Sequence, residues 1–191
     1  MGSTALVGAE GPLVIVGFSM GGLVGLEILR QEPKRVRGIA FISADLRQDT
    51  EARILARQRL LEEVSTFGIE DVYRRMLRNK YFPSKDYAIE VERTVLDMMI
   101  NLGPAAVLCQ LGALNTRSSS KTLLRSLACP TLFLSAADDS LCPVEAEAFV
   151  SDNTKHATCI RLSSGGHFLP LTEPIALGAA LSNWLSSTLA L

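Results

Sequence analysis

The sequence has 191 residues, of which 48% are hydrophobic and 20% are charged, the balance of one globular domain with a buried core. The formal net charge of −1 gives no electrostatic basis for binding nucleic acid or an anionic membrane surface. No apolar run approaches the roughly 20 residues that span a bilayer, and residues 1–12 lack the basic and apolar regions of a signal peptide.

The chain opens with a predicted strand followed by a predicted helix. Residues 1–11 are rich in small side chains, and we expect a frayed lead-in there. Leu13–Val16 is an uninterrupted apolar run with three β-branched residues, which is typical of a strand buried on both faces of a parallel sheet. The strand ends at Gly17, and helical spacing runs from Met20 to about Gln31.

The turn between this strand and this helix has the pattern Gly17-x-Ser19-x-Gly21, which is that of a nucleophile elbow. Such a turn holds its serine in a strained backbone conformation with Oγ exposed. Side chains at Gly17 and Gly21 are expected to collide with the neighbouring backbone. The Met20 N–H then lies at a helix N-terminus, directed at a developing oxyanion. The alternative is a glycine-rich turn without chemistry, but the flanking strand and helix favour the elbow.

After a second predicted strand, Val36–Ile42, the composition and the spacing of apolar residues change. Residues 46–125 are denser in charge, and their apolar residues recur at helical spacing. Breakers divide this segment into several helices, at Gly68, at Phe82-Pro83-Ser84 and at Gly103-Pro104. We predict a helical lid that is inserted into an α/β core of residues 1–45 and 126–191 and covers the carboxyl edge of its sheet.

The last third of the chain returns to alternating strands and helices. Strands are predicted over Thr131–Ser135 and Thr158–Leu162. Helices are predicted from Val144 to about Val150, and from Glu173-Pro174 to about Leu189. Together with the first two strands, this alternation predicts an α/β fold with a mostly parallel sheet of about four strands, flanked by helices.

Polar loops follow the third and fourth strands. Asp138 and Asp139 lie in the first loop, and His167 lies in the second. Active sites of open α/β sheets lie at the carboxyl ends of the strands, where Ser19 is also expected. We therefore predict that His167 takes the proton of Ser19 while an aspartate orients the imidazole. Either aspartate fits that role, and Asp138 could instead cap the following turn.

Cysteine and histidine usage bears on metal sites and on the cellular compartment. The four cysteines are widely spaced: Cys109, Cys129, Cys142 and Cys159. They form no C-x-x-C pair, so we expect free, mostly buried thiols in a reducing cytoplasm. With His156 and His167 as the only histidines, the sequence predicts no zinc site and no cofactor.

These motifs resemble those of the α/β-hydrolase superfamily, specifically its lidded esterase, enol-lactonase and cofactor-free haloperoxidase-like members. Three stretches carry the resemblance: Gly17-Phe18-Ser19-Met20-Gly21-Gly22 for the elbow, Pro130–Leu134 with Asp139 and Pro143 for the acid loop, and Gly166-His167-Phe168 with Glu173-Pro174 for the histidine loop. In the family the aspartate stands four residues before that proline, which favours Asp139 over Asp138. The resemblance implies a catalytic triad of Ser19, Asp139 and His167, with the Met20 N–H in the oxyanion hole.

The sequence departs from the family at two places. Ala136 stands where the family usually has glycine. The family's elbow also follows about four strands, which include the loop with the second oxyanion donor, whereas 12 residues precede Leu13 here. The chain thus resembles the family without its N-terminal strands. We expect an open edge on Leu13–Val16 through which the chain self-associates, and a rate about 100- to 1000-fold lower for want of one donor.

Two functions follow from this sequence. The first is a serine hydrolase that acts on a small carboxylic ester or lactone through an acyl-enzyme on Ser19. The alternative is a truncated or non-catalytic fragment with little activity, acting as a binding or interaction module or having no role. In the first case the partner is a small-molecule ester or lactone, and in both cases neither nucleic acid nor membrane is an expected partner.

Overall fold

A computed structural model describes residues 2–83, 87 and 89–188 of the chain. The chain divides into two compact units. We call Met1–Arg47 with Ser120–Leu191 the sheet unit, and Gln48–Ser119 the helical unit.

In chain order the elements are α1 (Gly2–Ala5), β1 (Leu13–Phe18), α2 (Met20–Gln31), β2 (Val36–Ile42), α3 (Glu51–Phe67), α4 (Ile69–Val72), a π-helix (Tyr73–Leu77), α5 (Arg78–Tyr81), α6 (Ile89–Leu102), α7 (Pro104–Leu114), α8 (Lys121–Arg125), β3 (Thr131–Ala136), α9 (Val144–Asn153), β4 (Ala157–Leu162), α10 (Leu169–Thr172) and α11 (Pro174–Thr188).

The sheet has the order β1-β2-β3-β4, and its three strand pairs are all parallel. The predicted four-stranded parallel sheet is therefore confirmed. Six of the seven residues of β2 and all six residues of β3 are buried, as expected for central strands with helices on both faces.

Two apolar clusters cover the faces of the sheet. On one face Phe41 and Phe133 pack with Leu26 of α2 and Val150 of α9. On the other face Ile42, Leu132 and Leu134 pack with Trp184 and Leu177 of α11. Glycines let α2 approach the sheet closely, because an added Cβ at Gly22 would lie 2.7 Å from the Ala44 Cβ. The sheet is thus the middle layer of an α/β sandwich.

The first strand is less buried than its composition predicts. Val14 and Val16 are 38% and 51% exposed, whereas Ile15, on the opposite face, packs against the core. The difference arises because β1 is the first strand in the sheet order and its Val14 face has little packed against it.

The prediction that the segment before β1 is frayed is wrong for the residues that the structure describes. The short helix α1 contacts α2, and the hydroxyl of Ser3 donates to Gln31 Oε1 at 3.0 Å. Further along, the Arg35 guanidinium donates to the carbonyls of Ala9 and Gly11 at 2.6 and 2.9 Å. These contacts hold the segment beside α2.

The helical unit contains helices α3 to α7 and the π-helix. It has the predicted breaks at Gly68 and Gly103, whose φ values of 81° and 78° lie in the region that favours glycine. The break at Phe82-Pro83-Ser84 also lies between two helices, although Ser84 is outside the described residues. Within this unit α3 contacts α7, and α6 contacts both α4 and α7.

A charged cluster joins the two ends of the helical unit. The Asp49 carboxylate, before α3, accepts from Arg57 at 2.9 Å and from Arg117, beyond α7, at 2.5 Å. Arg57 also donates to Asn115. The unit therefore ends before residue 120, not at the predicted residue 125. Leu124 instead belongs to the core of the sheet unit. The role of the helical unit as a lid stays a prediction.

No single helix among residues 2–83, 87 and 89–188 is long and apolar enough to cross a membrane. One pair, α6 and α7, meets the criterion when the two are taken together, and these helices are bent by 94° at their junction.

Candidate active site

A serine, a histidine and an aspartate meet at the carboxyl ends of three strands of the sheet. Ser19 Oγ lies 2.8 Å from His167 Nε2. On the other side of the ring, His167 Nδ1 lies 2.9 Å from Asp139 Oδ2 and 3.1 Å from Oδ1. All three residues belong to the sheet unit, so the contact does not depend on the helical unit. The structure thus brings together the three side chains that the sequence predicted.

Ser19 sits on a sharp turn between β1 and α2. Its φ of 50° and ψ of −115° are unfavourable for a residue with a side chain. Its N–H donates to the Ile42 carbonyl at 2.8 Å, which fixes the turn against β2. Met20 is the first residue of α2, so its N–H has no acceptor within the helix. This is the strained elbow that the sequence predicted.

The two glycines of the motif differ in their surroundings. A Cβ at Gly17 would lie 2.5 Å from the Gly21 carbonyl oxygen and 2.6 Å from the Gly22 nitrogen. A Cβ at Gly21 would meet nothing within 4 Å beyond its chain neighbours and its own helix backbone. The predicted collision is therefore confirmed for Gly17 and wrong for Gly21.

This contrast gives a matched pair of variants. We expect Gly17→Ala to destabilise the protein by roughly 3 kcal/mol, because the elbow backbone must move, and to lower Tm by about 6–12 °C. Gly21→Ala should change stability by less than about 1 kcal/mol, since alanine is favoured inside a helix. Thermal denaturation followed by circular dichroism measures both, and equal losses in the two variants would contradict the distinction.

The neighbouring aspartates have separate partners. Asp139 is 2% exposed, and its Oδ1 accepts from the N–H groups of Leu141 and Cys142 at 2.9 and 3.1 Å. Asp138 Oδ1 accepts from the Gly166 N–H at 2.9 Å. Asp139 therefore orients the histidine ring, and Asp138 joins the acid loop to the histidine loop. The Gly166 contact is a role for Asp138 that the sequence did not predict.

Aromatic rings enclose the histidine. His167 is 5% exposed, and its ring centroid lies 5.4 Å from that of Phe18 and 5.7 Å from that of Phe168. Such contacts restrict rotation of the imidazole and keep water from its faces. Sequence reasoning did not assign a role to either phenylalanine, although both flank motif residues directly.

Cys142 lies in the acid loop, between Asp139 and Pro143, and is fully buried. Burial raises the pKa of its thiol, and the nearby carboxylates of Asp139 and Asp45 raise it further. By contrast, Cys109 is exposed. We expect a thiol reagent at pH 8 to modify Cys109 in the native protein and to reach Cys142 only after unfolding. Mass spectrometry of the modified peptides distinguishes the two sites.

The same shift predicts a pH dependence of stability. Because the folded pKa of the Cys142 thiol lies above its unfolded value of about 8.5, its contribution is complete below that pH and is lost as the pH rises through the folded pKa. Denaturant unfolding between pH 8 and 10 should show a falling free energy. Cys142→Ala should flatten that decline and Cys109→Ser should not, and an unchanged slope in Cys142→Ala would contradict the prediction.

The described residues contain no group of three or more histidine, cysteine, aspartate or glutamate side chains that could hold a metal ion. The chemistry that the described site can perform is proton transfer. The 2.8 Å contact lets His167 Nε2 accept the proton of Ser19 Oγ, and the carboxylate on Nδ1 stabilises the resulting cation.

Comparison with known proteins places the chain in a family. A family model described as the alpha/beta hydrolase fold matches residues 9–174. One curated relative is RutD of Klebsiella pneumoniae subsp. pneumoniae, whose name includes the term carbamate hydrolase. It is 25% identical to this chain over 181 residues. This alignment covers 92% of this chain and 66% of the relative. The identically named protein of Variovorax paradoxus is 28% identical, and the alignment covers 90% of this chain and 65% of that protein.

Solved structures show the same fold. A thermophilic esterase from Thermogutta terrifontis superimposes with a TM-score of 0.83 at 24% identity, over 97% of this chain and 68% of that one. A bromoperoxidase from Bacillus anthracis gives a TM-score of 0.82 at 17% identity, over 96% of this chain and 71% of that one. The chain spans about two thirds of the length of the curated relatives it matches. Since the family model covers most of the chain, this protein belongs to the α/β-hydrolase fold family.

Proposed function

We propose that this chain carries the catalytic residues of a serine hydrolase that acts on small carboxylic esters or lactones. Ser19 is the nucleophile, His167 the general base and Asp139 the residue that orients the base. One observation carries the proposal: the continuous hydrogen-bonded line from Ser19 Oγ through the imidazole to Asp139. A serine on a strained elbow has no structural need for such partners, whereas a nucleophile requires them.

The reaction proceeds in two halves. Ser19 Oγ attacks the carbonyl carbon as its proton passes to His167 Nε2, and a tetrahedral oxyanion forms. The proton then goes to the leaving alkoxide, so the alcohol departs and the acyl group stays on Ser19. In the second half a water molecule gives one proton to His167 Nε2 as its oxygen attacks the acyl carbon. His167 then returns that proton to Ser19 Oγ as the bond between Oγ and the acyl carbon breaks, and the carboxylic acid departs.

The Met20 N–H is the proposed donor to the oxyanion. It lies at the N-terminus of α2, a helix of 12 residues whose dipole favours negative charge there. A second donor, if one is supplied from outside the described residues, would raise the rate by about 100- to 1000-fold.

Relatives named as carbamate hydrolases favour carbamates as a second substrate class. A carbamate carbonyl is attacked in the same way, but its nitrogen makes the carbonyl less electrophilic. Turnover of p-nitrophenyl butyrate and of a p-nitrophenyl N-alkylcarbamate, measured side by side, separates the two classes. Faster turnover of the ester is expected, and faster turnover of the carbamate would move the proposal to that class.

Covalent labelling tests the nucleophile independently of the substrate. Diethyl p-nitrophenyl phosphate should add a diethylphosphoryl group to Ser19 and release one equivalent of p-nitrophenol. Peptide mass spectrometry locates the adduct. His167→Ala should abolish labelling, and His156→Ala, at the other histidine, should not affect it. Labelling elsewhere, or no labelling at all, would favour the alternative of a non-catalytic fragment.

The four cysteines support a proposed location in the reducing cytoplasm. All four are free, and only Cys142 is fully buried, so the expectation that they are mostly buried is wrong. Titration of the purified protein under denaturing, non-reducing conditions should find four thiols.

A further inference from the structure

The peptide group between Gly165 and Gly166 is held at both ends by side chains. Its carbonyl, which belongs to Gly165, accepts from the Thr172 hydroxyl at 2.7 Å. Its N–H, which belongs to Gly166, donates to Asp138 Oδ1 at 2.9 Å. The next residue along the chain is His167, so the orientation of this one peptide group determines where the histidine backbone begins.

The two glycines do not themselves fix the orientation of this peptide group. Gly165 has a φ of 139° and Gly166 a φ of 60°, both in the region that glycine adopts without steric cost. A Cβ at Gly165 would collide with the buried side chain of Leu169, so glycine is required there. Because neither residue has a Cβ, rotation of the peptide between them meets little steric resistance. Its orientation therefore depends on the hydrogen bonds at its two ends.

The contact from Thr172 to Gly165 is not one that a helix supplies. Thr172 is the last residue of α10, and its hydroxyl also lies 3.1 Å from the Phe168 carbonyl, four positions earlier. That second contact is common for a helical threonine. Gly165 is seven positions earlier and lies before the helix begins. The shorter of the two contacts thus joins the helix to the loop on the other side of His167.

We propose that Thr172 is a positioning residue for the reaction, an inference that rests on the proposed function. By fixing the Gly165–Gly166 peptide, its hydroxyl keeps His167 Nε2 at 2.8 Å from Ser19 Oγ. When the hydroxyl is removed, the peptide loses one of its two side-chain bonds and rotates more readily, and the imidazole moves with it. A displacement of about 1 Å at a reacting group can lower a rate about 100-fold.

Removal of the hydroxyl at constant size gives the first measurement. Thr172→Val should lower kcat for p-nitrophenyl butyrate about 10- to 100-fold and change KM by less than about threefold, because the hydroxyl acts on proton transfer and not on substrate binding. Thr172→Ser keeps the donor and should retain kcat within about threefold. Thermal denaturation confirms that each variant is folded at the assay temperature.

Thr154→Val is the matched control. The Thr154 hydroxyl is buried and has no hydrogen-bond partner among the described residues. The same exchange of hydroxyl for methyl at this position should leave kcat within about threefold of the wild type.

The imidazole proton gives a second readout that needs no turnover. His167 Nδ1 lies 2.9 Å from Asp139 Oδ2, and the proton between them should give a low-field proton NMR signal. Thr172→Val should speed the exchange of this proton with water about tenfold, because a loop that rotates more readily opens more often. Thr154→Val should not change the exchange rate. His156 is the only other histidine, so His156→Ala assigns the signal.

The outcomes separate this proposal from the proposed function. If wild-type turnover depends on Ser19 and Thr172→Val changes neither kcat nor the exchange rate, the positioning proposal alone is overturned. Equal effects of Thr172→Val and Thr154→Val, or of Thr172→Val and Thr172→Ser, would also overturn it. If turnover does not depend on Ser19 but Thr172→Val still speeds the exchange, the proposed function fails and the placement of His167 by Thr172 stands.

Discussion

Replacing Ser19 with alanine should lower kcat for p-nitrophenyl butyrate by about 10⁴- to 10⁶-fold, the scale of losses when an attacking hydroxyl is removed. His167 then has no proton to accept, and hydrolysis proceeds only by direct attack of water. The variant should remain folded, because the Ser19 hydroxyl contacts the imidazole, whereas the bond from the Ser19 N–H to the Ile42 carbonyl fixes the turn and does not need the hydroxyl. Initial rates over a range of substrate concentrations give kcat and KM separately.

Ser43 offers a matched control. It is a second serine with a left-handed backbone, at φ 47°, at the end of the neighbouring strand β2. Its buried hydroxyl has no hydrogen-bond partner among the described residues. Ser43→Ala should retain turnover within about threefold, since its deletion removes no bonded group. If Ser19→Ala kept more than about 1% of wild-type kcat while Ser43→Ala lost activity, Ser19 would not be the nucleophile.

Replacing Asp139 with asparagine should lower kcat by about 10⁴-fold, because His167 would then carry its ring proton on the wrong nitrogen. Asp139 Oδ1 accepts two backbone N–H groups, so the amide oxygen of asparagine would take that place. Its NH₂ group would then face His167 Nδ1 and donate to it. The ring proton moves to Nε2, which can no longer accept the proton of Ser19. Nitrogen NMR of the imidazole should report this exchange directly.

Asp138→Asn is the control for this change. Its Oδ1 bond to the Gly166 N–H can be kept by the amide oxygen, so kcat should fall by less than about tenfold. Both variants replace one carboxylate oxygen with an NH₂ group, and the two substituted residues are adjacent in one loop. A loss at Asp138→Asn as large as that at Asp139→Asn would mean that the joining of the two loops, and not the tautomer, determines the rate.

Much of this site could be predicted because its parts are local. The elbow, the acid loop and the histidine loop each carry their signal within a few residues, and the alternation of strands and helices places them at the same edge of the sheet. The bounds of β2 were predicted to the residue as Val36–Ile42, because a run buried on both faces stops where polar residues begin.

What could not be predicted depends on contacts between distant segments. The residues alone left Asp138 and Asp139 equivalent, and the resemblance to the family favoured Asp139. The path of the loop toward Gly166 and His167 gives the physical reason for that choice. Helix α1 has four residues, too few for intrinsic helix propensity to stabilise it, so its packing on α2 decides. The sequence also could not show that a side chain has room at Gly21 and not at Gly17, because the motif has glycine at both positions.

The separation of the site residues along the chain determines the order in which the site assembles during folding. β1, α2 and β2 are consecutive, so the serine turn can form early from local contacts. β2 pairs with β3 at Ile39 and Thr131, about ninety positions apart, which requires the closure of a long loop. Ser19 and His167 are 148 positions apart. On refolding, helical circular dichroism should therefore recover before the hydrolase signal, since activity reports the last parallel strands to join the sheet.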